Sequence, residues 1–124
     1  MRTAASDFIG QVLSVLCVVH CVATPLVLAV APAFANLFGN AHPVLLTLVL
    51  ATAAWAFIPG YLHHKQTVPL MFAAAGLVLL ALGAFVFEGN LPLEIASSVT
   101  GAMLMLAAHW KNRSAHRHCH ACEA

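Results

Sequence analysis

The sequence predicts an all-α integral membrane protein, a bundle of four transmembrane helices with the N- and C-termini cytoplasmic. Three observations lead there. The 124 residues are 62% hydrophobic and only 7% charged, whereas soluble domains carry about 45–50% and about 25%. The apolar residues fall into four runs separated by proline, glycine and asparagine. The five cations sort onto one side of a four-span layout. At about 20 residues per span, four spans leave only short loops and tails, and no room for a separate catalytic or nucleotide-binding domain. A net charge of +1 gives no reason to expect a nucleic-acid partner; the expected surroundings are a lipid bilayer.

The first run extends from about Phe8 to Ala33 and ends at Pro32. It is longer than the 7–15-residue core of a signal peptide, so it is read as a retained span. The second, from about Pro43 to Pro59, is near the lower limit for crossing; Pro59-Gly60 reads as its end. The third runs from about Pro69 to Phe87 and the fourth from about Leu93 to Trp110, with Glu88-Gly89-Asn90 and Pro92 between them. Arg2 precedes the first span, Lys65 lies between the second and third, and Lys111, Arg113 and Arg117 follow the fourth. All five therefore share one side, which the positive-inside rule makes cytoplasmic. Residues 1–112 read as the transmembrane domain and 113–124 as a flexible Cys/His-rich cytoplasmic tail.

Four cysteines and eight histidines are many for so apolar a chain. In the first helix Asp7, Gln11, Ser14, Cys17, Cys21 and Thr24 follow at steps of three or four, which places them on one stripe. A polar stripe through a membrane faces other helices or a water-filled path. Cys17 lies ten residues beyond Asp7, about 15 Å along the axis, so Cys17 and Cys21 straddle the midplane. Residues four apart have Cβ atoms about 5–6 Å apart, close enough for two thiolates to hold one soft ion. His20 borders the same face as a nitrogen donor. Pro25 lacks an N–H and so frees the Cys21 carbonyl and kinks the helix there. A lone membrane cysteine is commonly just a small apolar residue; a pair on one stripe with a histidine between is read as a metal site.

The tail, His116-Arg-His118-Cys119-His120-Ala-Cys122, has thiols that stay reduced in the cytosol. Its dense ligands, Cys119, Cys122, His118 and His120, suit capture and exchange of metal. His63-His64 reads as a solvated loop near the tail. His109 reads as a helix cap or a relay to the tail. Met105 and Met103 read as packing, and Ser97 with Gly101 as a small-x-x-x-small pair marking close helix approach.

Four short helices, the segment Leu16-Cys17-Val-Val-His20-Cys21-Val-Ala-Thr-Pro25-Leu26 and a terminal cysteine pair together resemble the MerC-type mercuric-ion transport proteins of bacterial inner membranes. The resemblance implies an inner-membrane protein that takes Hg(II) into the cytoplasm. It makes Cys17 and Cys21 the membrane acceptor pair and Cys119 and Cys122 the inner pair. The ion would pass by thiolate exchange from a periplasmic carrier or solvent to a cytoplasmic acceptor. No permanent cofactor and no enzymatic activity are expected. In that family the first-helix cysteines stand closer together, and the histidines exceed what mercury requires. Imidazole suits zinc, copper and nickel, so zinc uptake is the alternative within transport, and a membrane thiol–disulfide oxidoreductase the alternative outside it. A homodimer is compatible with so thin a bundle.

Overall fold

The computed structural model describes residues 2–31, 33, 41–87 and 89–123, with side chains described outside 2–4, 25, 28–29, 41–42 and 116–123. Four helices long and apolar enough to cross a membrane occupy this part of the chain, and no strand occurs among the described residues. They are α1 (Arg2–Val30), α2 (Ala41–His64), α3 (Val68–Ala81) and α4 (Leu91–Glu123). α3 continues as one π-helical turn, Leu82–Val86, closed by a bond from Phe87 N–H to the Leu82 carbonyl at 2.9 Å. The expected four-helix architecture is therefore present.

Two boundaries differ from the expectation. α2 does not stop at Pro59 but runs on to His64. A membrane helix tolerates a proline because neighbouring helices support the freed backbone. Here Gly60 is buried against α4, where a Cβ would stand 2.5 Å from Asn112 Oδ1, so packing carries the helix through. The chain leaves α2 only at Lys65, which adopts a left-handed φ of 57° while its N–H caps the Tyr61 carbonyl, a usual way to end a helix. α4 is 33 residues long, about 50 Å, and a bilayer core is about 30 Å thick. Its backbone stays helical through Glu123, well past the Trp110 expected to end the fourth span.

α4 is the central helix and packs on all three others, most extensively on α3 and α1. The lines of contact are built from small residues. Gly76 of α3 and Gly101 of α4 face each other so closely that a Cβ on either would come within 2.9 Å of the partner's carbonyl oxygen. In a bilayer, where lipid tails are as apolar as leucine, such close backbone approach is what holds helices together. The core joins Cys17, Val49, Phe57, Leu80 and Met105. Leu26, Met71, Val78 and Trp110 point outward, as lipid-facing side chains do. Hydroxyls inside the spans return to the backbone one turn earlier: Ser14 to the Gly10 carbonyl at 2.8 Å, Thr24 to His20 at 2.6 Å, Thr47 to Pro43 at 2.8 Å. This leaves no donor facing lipid unsatisfied at those positions.

Candidate metal site and the polar network below it

The stripe on α1 faces inward. Asp7, Ser14, Cys17 and Cys21 are buried, and Gln11 and Thr24 are half-buried. A 3.6-residue period puts steps of three and four on one face, and that face is the one that meets α4 and α2. Both thiols are free. They line one small cavity together with Leu45, Leu46, Val49, Leu80, Ala84 and Ser98. Its volume is about 20 Å³, and one water needs about 10–15 Å³ on this measure. The space therefore suits one stripped ion rather than a hydrated one.

The cavity has an apolar wall from α2 and a polar one from α4. Ser98 lines it together with Cys21, and Glu94 stands one turn before Ser98 on α4. The π-helical turn sets this wall. It brings Ala84 into the lining and packs Gly83 against the hydroxyls of Ser97 and Ser98. π-turns inside α-helices occur frequently at functional sites. Neither Ser98 nor this turn was singled out from the sequence, because a serine in an apolar run has no distinctive spacing.

His20 is half-buried and lies against Thr24, whose hydroxyl is 3.4 Å from its ring nitrogens. It does not line the thiol cavity. Cys119, Cys122, His118 and His120 lie outside the residues whose side chains are described, as does Pro25. Among the described residues no three His, Cys, Asp or Glu side chains converge as a metal cage. The donors present at the cavity are thus two sulfurs and a serine oxygen, a soft, low-coordination set.

Seven to ten residues before Cys17 lies a second polar centre. Asp7, His109 and Asn112 are fully buried or nearly so. His109 Nδ1–H donates to Asp7 Oδ1 at 3.1 Å. Asn112 Nδ2 donates to both Asp7 oxygens at 3.0 Å and reaches the Ala56 carbonyl at 3.4 Å. The Asn112 amide oxygen is 2.9 Å from His64 Nε2, while His64 Nδ1 accepts the Gln66 N–H at 3.1 Å. Those two contacts assign the tautomer: Nδ1 of His64 is the acceptor, so its Nε2 carries the proton. The network ties α1, α2 and α4 together. The His109 ring lies on Gly10, where a Cβ would stand 2.2 Å from it, and 4.6 Å from the Phe57 ring. Its Nε2 is buried without a partner. His109 is therefore buried inside the bundle rather than capping a helix end, and His64 is the last residue of α2, not simply a loop residue.

The same end of the bundle holds cations. Lys65 lies over Tyr61 and Lys111 over Phe72, at 6.0 and 5.6 Å from the ring centroids; Arg113 is one residue beyond Asn112. Among the described side chains, Lys65, Lys111 and Arg113 thus share one basic end.

Comparison with known proteins agrees with the resemblance. The family model described as MerC mercury resistance protein matches residues 7–114, from the buried Asp7 to just past Asn112. No match is found among curated proteins or solved structures. The matched span contains the thiol pair, its cavity and the buried network, and covers most of the chain. This multi-pass membrane protein, with two free thiols in one cavity inside a four-helix bundle, belongs to the MerC mercury resistance family, a family of membrane transport proteins.

Proposed function

We propose that the protein carries Hg(II), or a similar thiophilic ion, into the cytoplasm by exchange between thiolates. The observation that carries this reading is the shared cavity. Two free thiols at i and i+4 on one helix face a space sized for a single ion. Loading replaces two S–H bonds by two S–metal bonds. One dication displaces two protons, which leave to water, so the bound complex is neutral. A neutral complex avoids the cost of a bare charge in hydrocarbon. Linear two-sulfur coordination asks for no third protein ligand, in keeping with the donor set at the cavity.

In this reading the basic end is cytoplasmic, and the ion enters at the opposite end, where Glu94 lies in the first turn of α4. From Cys17 and Cys21 it passes to Cys119 and Cys122 on the continuation of α4, with the neighbouring histidines His118 and His120 as nitrogen donors, and then to a cytosolic acceptor. Each transfer forms one S–metal bond as another breaks, so no ATP-binding domain is required. The direction of net flow is set by removal of the ion inside the cell. The test is uptake of Hg(II) into proteoliposomes. Cys17→Ser with Cys21→Ser is expected to reduce flux to that of empty vesicles, and full uptake by the double variant would overturn the proposal.

A further inference from the structure

We infer that the Asp7–His109–Asn112–His64 network is the inner gate of the thiol site, a polar latch that must open before the ion can leave toward the basic end. This rests on the transport reading above, and it adds residues to which that reading gives no role.

The position comes first. Gly10 is seven residues before Cys17 and Asp7 ten, about 10 and 15 Å along α1. Any route from the thiol cavity to the basic end between α1, α2 and α4 crosses this level. It is closed there. Ser14 and Gly10 on α1, Ala56 and Gly60 on α2, and Ala108 and Asn112 on α4 are all buried, and the His109 ring lies directly on the Gly10 backbone. At the level of the latch, where α1 and α4 meet the outside of the bundle, is a polar groove of about 250 Å³ lined by Gln11, Trp110, Arg113 and Ser114, each next or close in sequence to a latch residue or to Gly10. The latch thus seals the bundle interior between the thiol cavity of about 20 Å³ and the polar outer groove beside it.

The chemistry comes second. A plug meant only to hold helices together would be cheaper in apolar residues, because removing a carboxylate and an imidazole from water costs free energy that their mutual contacts only partly return. Polar groups in a membrane bundle mark places that meet water during function. Asp7 is satisfied by three N–H contacts in the closed form, but His109 Nε2 is not satisfied. When α1 parts from α4 at Gly10, water reaches all these groups, including that nitrogen. Solvation then offsets the broken hydrogen bonds, so the closed and open forms lie close enough in free energy for an arriving ion to shift the balance. An apolar plug would offer no such compensation.

The experiment reads the gate without any metal. In a parent carrying Cys119→Ser and Cys122→Ser, only Cys17 and Cys21 are left to react. A charged, membrane-impermeant alkylthiosulfonate is added to vesicles of known sidedness from the basic side. The parent is expected to label slowly. Asp7→Asn, which keeps one acceptor oxygen but sets an NH2 against the Asn112 amide where the second carboxylate oxygen accepted, and Gly10→Ala, whose Cβ displaces His109, are each expected to label roughly tenfold faster from that side. Labelling of the unfolded protein should be the same in all three. The inference is overturned if the Asp7→Asn protein, folded by circular dichroism, labels no faster than the parent. It is equally overturned if the parent labels from the basic side as fast as in detergent. Because no ion is present, failure here is distinct from failure of the transport reading, which the Cys17/Cys21 double variant tests by flux.

Discussion

The thiol cavity and the buried network are both built where α1 meets α4, but they solve opposite problems. The cavity is lined by weakly hydrogen-bonding atoms: two sulfurs, one hydroxyl and a wall of leucine, valine and alanine. The network gathers strongly hydrogen-bonding groups with no space between them, and nearly every donor has a partner. A soft donor can remain unpaired in an apolar setting at small cost, because a thiol behaves as a small hydrophobe. A carboxylate cannot. The difference teaches how one helix face can carry both an ion-sized cavity and a sealed contact: the cavity is made of atoms that tolerate apolar surroundings without hydrogen-bond partners.

Substitutions can break or sharpen this contrast. The largest effect belongs to the thiols: Cys17→Ser with Cys21→Ser should remove Hg(II) uptake while thermal stability in detergent changes little, since a small side chain replaces a small one. Loss of fold rather than flux would show the cavity to be structural. The network should behave in reverse. Asp7→Ala leaves Asn112 and His109 buried without their acceptor and should lower stability by about 1–3 kcal/mol, seen as a reduced melting temperature, with stoichiometric metal binding retained by the protein that remains folded. Ser98→Ala removes the hydroxyl beside Cys21, and loss of such a supporting contact should weaken metal affinity roughly tenfold, read by competition with a chelating dye. The smallest change is expected for His20→Ala. His20 points to Thr24 and not into the cavity, so Hg(II) affinity should change by less than about twofold on the scale where tenfold is 1.4 kcal/mol; a large loss would place the imidazole in the metal's coordination sphere.

Much of this was legible before the fold. Cys17, Cys21, Ser14 and Asp7 fall on one inward stripe because helical spacing alone decides which residues share a face. The Ser97–Gly101 pair marks a close approach, and the backbone that Gly101 meets is that of Gly76. Three features were not legible. Pro59 read as a helix end, because local preference is silent about the packing of Gly60 that keeps α2 going. His109 and Asn112 are more than 100 residues from Asp7, and no local pattern announces a partner at that distance. The π-helical turn at Leu82–Val86 leaves no signature in an apolar run, so the polar wall at Ser98 was invisible too.

By itself, then, the sequence determined the solvent, the number of spans, the gathering of cations at one end and the face on which the thiols lie. Each of these follows from composition or from a period of 3.6 residues, and both are properties of a chain read locally. Only the tertiary structure decided what that face meets. Whether a buried thiol opens on a cavity, and whether a buried carboxylate finds an imidazole and an amide, depends on which helices come together and at what depth. In a membrane that is set by close backbone contact and by the need to satisfy every polar group, conditions that couple residues far apart in the chain.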